Sequence, residues 1–210
     1  MKLSKRIDTI ISLVPEKGNI FDIGCDHGIV SVFFALQKRC VTAIDIHEKP
    51  LKKAVDLAQQ YQVYHNMTFL VNDGIKGIFH NDNDILILTG MGGSTILEIL
   101  KEEKDGIFII EAHTDIPYVR QELSKKGFYI TDEKAIYDKK WYVLMKWEKG
   151  KANYDEIDYF LGPFCKYNKE YVTYIKDKYE KIYQKSNNEL QKKIVNMLKK
   201  HYDECFIEKK

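Results

Sequence analysis

The sequence predicts an α/β fold in which helices cover both faces of a mostly parallel sheet, followed by a pair of helices. Two patterns support this prediction. Up to Gly150, short and nearly continuous apolar segments alternate with amphipathic ones, as expected for buried parallel strands and their connecting helices. Beyond Gly150, apolar residues recur at steps of three and four, which is typical of paired helices.

Five strands alternate with helices in the first part of the chain. A helix over residues 4–14, capped by Ser4, comes first. The expected strands span residues 19–23, 40–46, 67–71, 85–88 and 107–110. The connecting helices are expected after Gly28, over residues 48–61, after Gly93, and from Pro117 to near Gly127.

A closing hairpin and a helical tail complete the predicted architecture. Residues 128–131 and 141–147 are expected to pair, with the last strand antiparallel to the others. Residues 151–163 read as an acidic linker, and two helices joined at Ser186-Asn187-Asn188 should pack as a coiled-coil-like hairpin. This divides the chain into a domain of residues 1–150 and a linker with hairpin of residues 151–210.

Composition excludes several classes of protein. The 210 residues are 44% hydrophobic and 30% charged, which excludes disordered and collagen-like chains. No apolar run reaches the roughly 18 residues of a membrane span, and the segment ending at Pro15 lacks a signal-peptide cleavage site. The four cysteines are scattered, so we expect reduced thiols and no metal site. A cytoplasmic protein without a membrane partner is the expectation.

Positive charge is concentrated in the tail. From Phe164 to Lys210, twelve lysines stand against seven acidic residues, whereas residues 1–163 carry a net charge of −3. Lysine on an exposed helix is commonplace, so only the collective bias carries weight. That bias suits contacts with the phosphates of a nucleic acid.

The first strand runs into a turn that is typical of a cofactor loop, Asp22-Ile23-Gly24-Cys25-Asp26-His27-Gly28. Its glycines let the backbone approach a ligand closely, and the following helix offers free N–H groups. Asp26 stands where the dinucleotide fingerprint GxGxxG has its second glycine. A carboxylate there would repel a pyrophosphate but suits a cationic methionine end, which favours S-adenosyl-L-methionine over NAD. An ordinary tight turn is the alternative.

Acidic residues also end the next two strands. Asp45, followed by Ile46, is placed to accept both hydroxyls of an adenosine ribose. Asp73-Gly74 follows the third strand, where a carboxylate can accept the adenine amino group of a nucleoside cofactor. A solvated loop aspartate and a common turn dipeptide are the respective alternatives.

A glycine-rich segment, Gly90-Met91-Gly92-Gly93, closes the fourth strand, where an open sheet is expected to form its ligand cleft. Methyltransferases that act on exocyclic amino groups usually place Asn or Asp, two prolines and an aromatic residue there, and this chain does not. A backbone lining fits a ring nitrogen, whose lone pair is already available. A simple strand–helix turn is the alternative.

Together the motifs resemble the bacterial tRNA (adenine(22)-N(1))-methyltransferase family. The resemblance spans nearly the whole chain and rests on Lys2-Leu3-Ser4-Lys5-Arg6, Asp22-Ile23-Gly24-x-Asp26-His27, Gly90-Met91-Gly92-Gly93 and Leu161-Gly162-Pro163-Phe164. It implies a Rossmann-like seven-stranded class I methyltransferase sheet, S-adenosyl-L-methionine as cofactor, tRNA as partner, and a C-terminal hairpin that helps to hold the tRNA.

The resemblance also implies the residues of the site. The cofactor-binding candidates are Asp22, Gly24, Cys25, Asp26, His27, Gly28, Asp45, Ile46, Asp73, Gly74, Gly90, Met91 and Gly92. For catalysis we expect Asp26 to stabilise the charge that develops on the adenine or to accept a proton from its exocyclic amine, with His27 as an orienting or proton-accepting partner. Cofactor contact and loop structure stay open as their alternative roles.

Two segments depart from the family pattern. Relatives often carry Gln-Pro-Asn where this chain has Glu111-Ala112-His113, and a Tyr-Glu pair where it has Trp141-Tyr142, although Arg120 matches. If either segment contacts the adenine, substrate handling differs from that of the relatives. Phe164 and the two tryptophans, Trp141 and Trp147, are candidates for stacking on a flipped base.

Other functions remain open at this stage. A methyltransferase for another RNA or a small molecule is one, and the basic hairpin argues against the small molecule. A non-catalytic RNA-binding protein on the same scaffold is another, and the intact set of Asp22, Gly24 and Asp45 argues against it. An NAD-dependent oxidoreductase is disfavoured by Asp26. We expect the protein to be monomeric.

Overall fold

A seven-stranded sheet with the order β3-β2-β1-β4-β5-β7-β6 forms the centre of the protein in a computed structural model. The structure describes Met1, residues 3–186 and residues 188–207. Lys2 of the N-terminal motif, Asn187 of the inter-helix turn and residues 208–210 of the predicted hairpin segment lie outside the described residues. The strands are β1 Ile20–Ile23, β2 Val41–Asp45, β3 Met67–Val71, β4 Ile85–Met91, β5 Ile107–Ala112, β6 Phe128–Asp138 and β7 Lys140–Lys149.

Eight α-helices surround the sheet in the described part of the chain. They are α1 Lys5–Leu13, α2 Ile29–Leu36, α3 Glu48–Gln60, α4 Gly93–Ile99, α5 Ile116–Lys125, α6 Glu156–Leu161, α7 Lys169–Ser186 and α8 Glu189–Phe206. Ser4 caps α1 by accepting a hydrogen bond from the amide of Ile7, and Pro117 lies in the first turn of α5, both as predicted.

The strand directions confirm the predicted seven-stranded, Rossmann-like methyltransferase fold. Strands β1 to β5 are parallel, whereas β7 runs antiparallel to both β5 and β6. The strand order reverses between β1 and β4, which adjoin at the middle of the sheet. Ligands of open α/β sheets bind beyond the carboxyl ends of the strands at such a reversal.

Alternating side chains of the central strands form one apolar layer on each face of the sheet. Along β4, Ile85 and Ile87 pack with α1 and α2, whereas Leu86 and Leu88 pack with α4 and α5. All four side chains are fully buried. This accounts for the continuous apolar run in the sequence, because a strand covered on both faces needs no polar side.

The closing hairpin is longer than predicted. β6 and β7 pair from Phe128 opposite Lys149 to Asp138 opposite Lys140, and Lys139 makes the turn with a φ of 63°. Residues 132–138 are mostly polar, so they showed no apolar run. On the antiparallel pair five of them are half-buried, whereas Glu133 is buried and Tyr137 is exposed. Such strands alternate polar and apolar residues and give a weaker signal than buried parallel ones.

Helix α6 lies within the segment that was read as a linker. Asp155 accepts a hydrogen bond from the amide of Asp158 at 2.9 Å, and the Asp158 carboxylate accepts one from the Asp155 amide at 3.2 Å. This reciprocal cap begins the helix, which ends by burying Leu161 completely. Two acidic residues of the predicted linker, Asp155 and Asp158, therefore cap the N-terminus of a helix.

Helices α7 and α8 pack against each other and on the same apolar layer as α4 and α5. Tyr171, Val172, Ile194 and Leu198 are buried within that layer. The two helices are joined at Asn188, whose side chain caps α8. The tail thus shares its core with the sheet.

In the described part of the chain, no helix is long and apolar enough to cross a membrane. Among the same residues, no three His, Cys, Asp or Glu side chains are grouped so that they could hold a metal ion. The four cysteines form no disulfide with one another, and Cys25 and Cys165 are buried.

Candidate active site

Two adjoining cavities open at the carboxyl ends of the central strands. The first, of about 390 Å³, lies between the loops that follow β1 and β4. The second, of about 160 Å³, lies between the ends of β2 and β3 and helix α4. Gly24 and Met91 line both cavities. Together they form one cleft at the reversal of strand order, where the fold is expected to bind its ligand.

The loop between β1 and α2 curls around the first cavity. Gly24, Asp26 and Gly28 have φ values of 70°, 47° and 68°, a conformation that L-residues seldom adopt. A Cβ on Gly24 would lie 3.4 Å from the Sδ of Met91, narrowing the passage between the cavities. The glycine therefore keeps that passage open.

Asp22 lies at the base of the first cavity and is 4% exposed. Its carboxylate accepts a hydrogen bond of 2.5 Å from the Ser31 hydroxyl. Burial raises the pKa of Asp22 to about 6, and the Ser31 hydrogen bonds oppose this rise in part. A cationic group bound in the cavity would favour the ionised carboxylate.

Asp26 and His27 form a hydrogen-bonded chain with Lys53 at the mouth of the first cavity. The Asp26 Oδ2 lies 2.6 Å from the His27 Nδ1, and the His27 Nε2 lies 3.2 Å from the Lys53 Nζ. The ammonium donates to Nε2, which favours a neutral imidazole with its proton on Nδ1. In that tautomer His27 donates to Asp26 and has no free lone pair.

Asp45 places a carboxylate in the second cavity. It is 8% exposed, and its Oδ1 accepts a hydrogen bond of 3.0 Å from the His47 amide. Its Oδ2 accepts from the amide of Asp26 at 3.4 Å, so the side chain also ties the β1 loop to β2. Ile46 and Ile99 provide apolar walls for the same cavity.

The second cavity ends at the turn after β3. Asp73 is exposed and forms an ion pair with Lys76, and Gly74 follows with a φ of 62°. The Asn72 side chain donates to the carbonyl of Gly74 at 3.0 Å and thereby braces the turn. The polar groups of this end are therefore held by local hydrogen bonds.

Gly90 is an irregular residue near the end of β4. The register against β5 shifts between Thr89 and Met91, and Gly90 has a φ of 82°. Its amide donates to the Glu111 Oε2 at 3.0 Å. The Arg6 guanidinium donates to the same oxygen through Nη2 at 2.6 Å and Nε at 3.1 Å. Glu111, 1% exposed, thus joins α1, β4 and β5 beside the first cavity.

A sequence profile of the family described as "Methyltransferase domain" matches residues 3–145, more than half of the chain. The chain belongs to the methyltransferase domain family. The match includes the β1 loop, Asp45 and the end of β4, which line the cleft.

Individual relatives resemble this methyltransferase over most of its length. The tRNA (adenine(22)-N(1))-methyltransferase of Bacillus subtilis (strain 168) is 27% identical over 186 residues, covering 82% of this chain and 78% of that protein. TrmK of M. capricolum, solved with S-adenosyl-homocysteine, is 24% identical and covers 98% of this chain and 100% of its own, with a TM-score of 0.86. The B. subtilis M1A22 tRNA methyltransferase TrmK is 20% identical, covers 96% of each chain and has a TM-score of 0.76.

The methyltransferase cleft brings most of the predicted cofactor residues together. The first cavity is lined by Asp22, Gly24, Cys25, Asp26, His27, Gly90 and Met91. The second is lined by Gly24, Asp45, Ile46, Asp73, Gly74 and Met91. Their roles toward a cofactor stay predictions, but all eleven residues border one continuous cleft.

Two predicted residues lie outside the lining of these cavities. A Cβ on Gly28 would lie 2.5 Å from the Cβ of Ala54, so this glycine lets α2 approach α3 closely. Gly92 precedes α4, and a Cβ there would lie 3.4 Å from the Thr114 hydroxyl. Packing of α2 on α3 therefore accounts for Gly28, whereas the contact at Gly92 is an ordinary one, and contact of either residue with a cofactor stays a prediction.

Several residues of the methyltransferase cleft had no role assigned from the sequence. Arg6, Thr89 and His113 line the first cavity, and the Glu111 carboxylate contacts Arg6, His113 and the Gly90 amide. Glu111 had one available signal, a charged residue near the end of an otherwise apolar strand. Such a residue is buried only when it has partners.

The aromatic candidates for base stacking have different environments. Trp147 is fully buried on β7, so its prediction as a stacking residue is wrong. Trp141 is half-buried and packs with Tyr171 and Tyr174, at ring-centroid distances of 5.5 and 6.0 Å. Phe164 is 47% exposed and stays a candidate.

The substitution Asp22→Asn should remove a pH dependence of stability. The pKa of Asp22 is higher in the folded protein than in the unfolded chain, so between about pH 4 and about pH 6 the folded state holds a proton that the unfolded chain has lost. Raising the pH through this range therefore lowers the free energy of unfolding by about 3 kcal/mol. The variant can keep the Ser31 hydrogen bond without the buried charge. Urea unfolding should therefore find the variant more stable than wild type at about pH 8 but similar at about pH 4. The same difference in the free energy of unfolding between variant and wild type at both pH values would contradict this expectation.

Proposed function

We propose that this chain is an S-adenosyl-L-methionine-dependent methyltransferase that transfers a methyl group to N1 of adenine 22 in tRNA. We also propose that it acts as a monomer in the cytoplasm. The observation that carries the proposal is the pair of cavities that meet at Met91. The names of the B. subtilis relative and of the M. capricolum structure support the choice of substrate and cofactor.

The second cavity suits an adenosine group. Asp45 offers a buried carboxylate whose lone pairs can accept both ribose hydroxyls, and Ile46 and Ile99 can enclose the adenine ring. Asp73, at the far end, can accept a hydrogen bond from the adenine amino group once its ion pair with Lys76 rearranges.

The first cavity suits the methionine end and the target base. Asp22 provides a carboxyl that a bound ammonium would ionise, and Gly24 leaves room for the sulfur to pass beside Met91. Five carboxylates line the cleft (Asp22, Asp26, Asp45, Asp73 and Glu98), against one arginine, Arg6, among the described lining residues. This lining fits a cationic ligand better than a pyrophosphate.

In this cleft the task of the protein is alignment, because S-adenosyl-L-methionine supplies a methyl group that is already electrophilic when bound. Residues around Met91 and Gly90 must hold the adenine N1 about 3 Å from the methyl carbon. The adenine enters after flipping out of the folded RNA, at a cost of a few kcal/mol. Asp26, at the mouth of the cavity, stabilises the positive charge that develops on the ring. His27 orients Asp26, since Lys53 occupies its second nitrogen.

The substitution Asp26→Asn tests this role. Asparagine tolerates the positive φ of this position, so the loop should keep its shape. We expect methyl transfer to fall by roughly 100-fold, while the Kd for S-adenosyl-homocysteine changes less than about threefold. Single-turnover transfer and calorimetry measure the two quantities. Transfer at the wild-type rate would show that Asp26 has no part in the reaction.

The hairpin offers a lysine row for the RNA backbone. Lys178, Lys181 and Lys185 are exposed on one face of α7, and none forms an ion pair with another described residue. Lys178 also lines a third cavity, of about 340 Å³, which shares His113 with the first. The row therefore leads from the reaction cleft toward the tip of the hairpin.

Replacing Lys178, Lys181 and Lys185 together by Gln should weaken tRNA binding and reduce its salt slope by up to about 3. Cofactor affinity should not change. A matched triple variant on α8, at Lys192, Lys193 and Lys200, removes the same charge and should have a smaller effect. Equal effects of the two triples would indicate a general charge effect. Filter binding at several salt concentrations gives the slopes.

Methyl transfer to defined transcripts tests the function itself. The protein is incubated with labelled S-adenosyl-L-methionine and a tRNA carrying adenine or guanine at position 22, and the product is mapped by reverse-transcription stops. We expect label and a stop at position 22 with adenine only, because N1 methylation blocks base pairing. Cofactor binding without transfer, or a stop elsewhere, would refute the proposed substrate.

A further inference from the structure

His113 lies where the first cavity meets the third, the cavity under helix α7. Its side chain is 38% exposed and lines both cavities. Its amide donates to the carbonyl of Met91 at 2.8 Å, so the backbone is fixed against the end of β4. His113 is the one described residue that the linings of these two cavities share.

The buried carboxylate of Glu111 lies beside one nitrogen of the His113 ring. The Oε2 of Glu111 accepts three hydrogen bonds, two from Arg6 and one from the Gly90 amide. Its Oε1 lies 3.4 Å from the His113 Nε2. A carboxylate at this position favours a proton on Nε2. The other nitrogen, Nδ1, is then an acceptor.

We propose that His113 is a specificity-determining residue that accepts a hydrogen bond from the 6-amino group of the target adenine. This inference rests on the proposed function. The amino group neighbours N1 on the Watson–Crick edge, and enzymes that flip bases read that edge by hydrogen bonds. An acceptor beside the reacting nitrogen selects a base with an amino group and rejects one with a carbonyl oxygen. Arg6 and Glu111 act as positioning residues.

A cycle of one protein change and one base change tests the contact. The substrates are tRNAs carrying adenine or purine at the target position, since purine keeps N1 but lacks the amino group. For the wild-type protein we expect the adenine-to-purine ratio of kcat/KM to exceed the ratio of the intrinsic reactivities of the two bases by roughly tenfold. In His113→Ala that extra preference should disappear, because the variant has no acceptor to leave unpaired.

Two further variants separate recognition from structure. His113→Asn keeps an acceptor oxygen and should restore part of the preference for adenine, whereas His113→Leu fills the space without an acceptor and should not. The Kd for S-adenosyl-homocysteine should stay within about threefold of wild type in all three variants, which reports an intact cleft.

The outcomes are distinguishable from failure of the proposed function. If the wild-type protein methylates neither RNA, the proposed function is wrong. If it methylates adenine and the adenine-to-purine ratio is the same within about twofold in wild type and His113→Ala, the function stands and the role of His113 is refuted.

Discussion

The substitution Arg120→Met should lower the free energy of unfolding by about 3–5 kcal/mol, because it leaves a buried carboxylate without its partner. Arg120 and Glu133 are 1% and 0% exposed, and the Arg120 Nη2 lies 2.6 Å from the Glu133 Oε1. The same guanidinium donates to the carbonyls of Tyr159 and Phe160 at 2.9 and 3.1 Å, near the end of α6. Arg120 thus connects the end of α6 to α5 and β6.

Urea unfolding measures this loss, and two variants control it. Lys125→Gln breaks an exposed ion pair on the same helix and should leave the unfolding midpoint unchanged. A double replacement, Arg120→Met with Glu133→Leu, removes both charges and should recover much of the stability lost in the single variant. If the free energy of unfolding of Arg120→Met lies within about 1 kcal/mol of that of the wild type, the ion pair does not stabilise the fold.

The substitution Asp45→Asn should weaken binding of S-adenosyl-L-methionine by about 100-fold. The asparagine oxygen can still accept from the His47 amide, which lies 3.0 Å from the carboxylate in the wild-type protein. The amide nitrogen, however, cannot accept a ribose hydroxyl, and the negative charge is lost. The amide nitrogen also loses the long hydrogen bond of 3.4 Å from the Asp26 amide, so the expected defect combines lost ligand contact with a weaker tie to the β1 loop.

Equilibrium dialysis with labelled cofactor measures the affinity of this variant. The control variant Asp132→Asn removes the same charge on β6, at a residue that lines neither cavity of the cleft. It should bind the cofactor as the wild-type protein does. Circular dichroism should be alike for all three proteins. A Kd within about threefold of wild type for Asp45→Asn would exclude Asp45 as the ribose ligand.

Local patterns in the sequence were sufficient for most of the fold. β3, a half-exposed edge strand, has the predicted bounds, and the other parallel strands differ by only a few residues. β1, β4 and β5 were readable because strands buried on both faces produce unbroken apolar runs. The capped start of α1 and the first turn of α5 were also readable, since Ser4 and Pro117 act within one turn of their own positions. β6 and α6 were harder because their residues are polar.

The cleft residues that could be predicted from the sequence lie in short motifs at the carboxyl ends of strands. Asp22, Asp45 and Gly90 each lie near the end of a strand, and parallel strands bring their carboxyl ends to one edge of the sheet. Arg6 and Glu111 are 105 positions apart, and no local spacing indicates that they meet. Pairing of that kind depends on the tertiary arrangement of α1 and β5.

A structure of the protein with bound S-adenosyl-homocysteine tests the central claim most directly. We expect the adenosine group to lie between Ile46 and Ile99, with both ribose hydroxyls within hydrogen-bond distance of the Asp45 carboxylate. The sulfur should lie beside Met91, facing the cavity that Asp26 lines. A nucleoside bound elsewhere, or in the reverse orientation with its amino-acid end at Asp73, would contradict it.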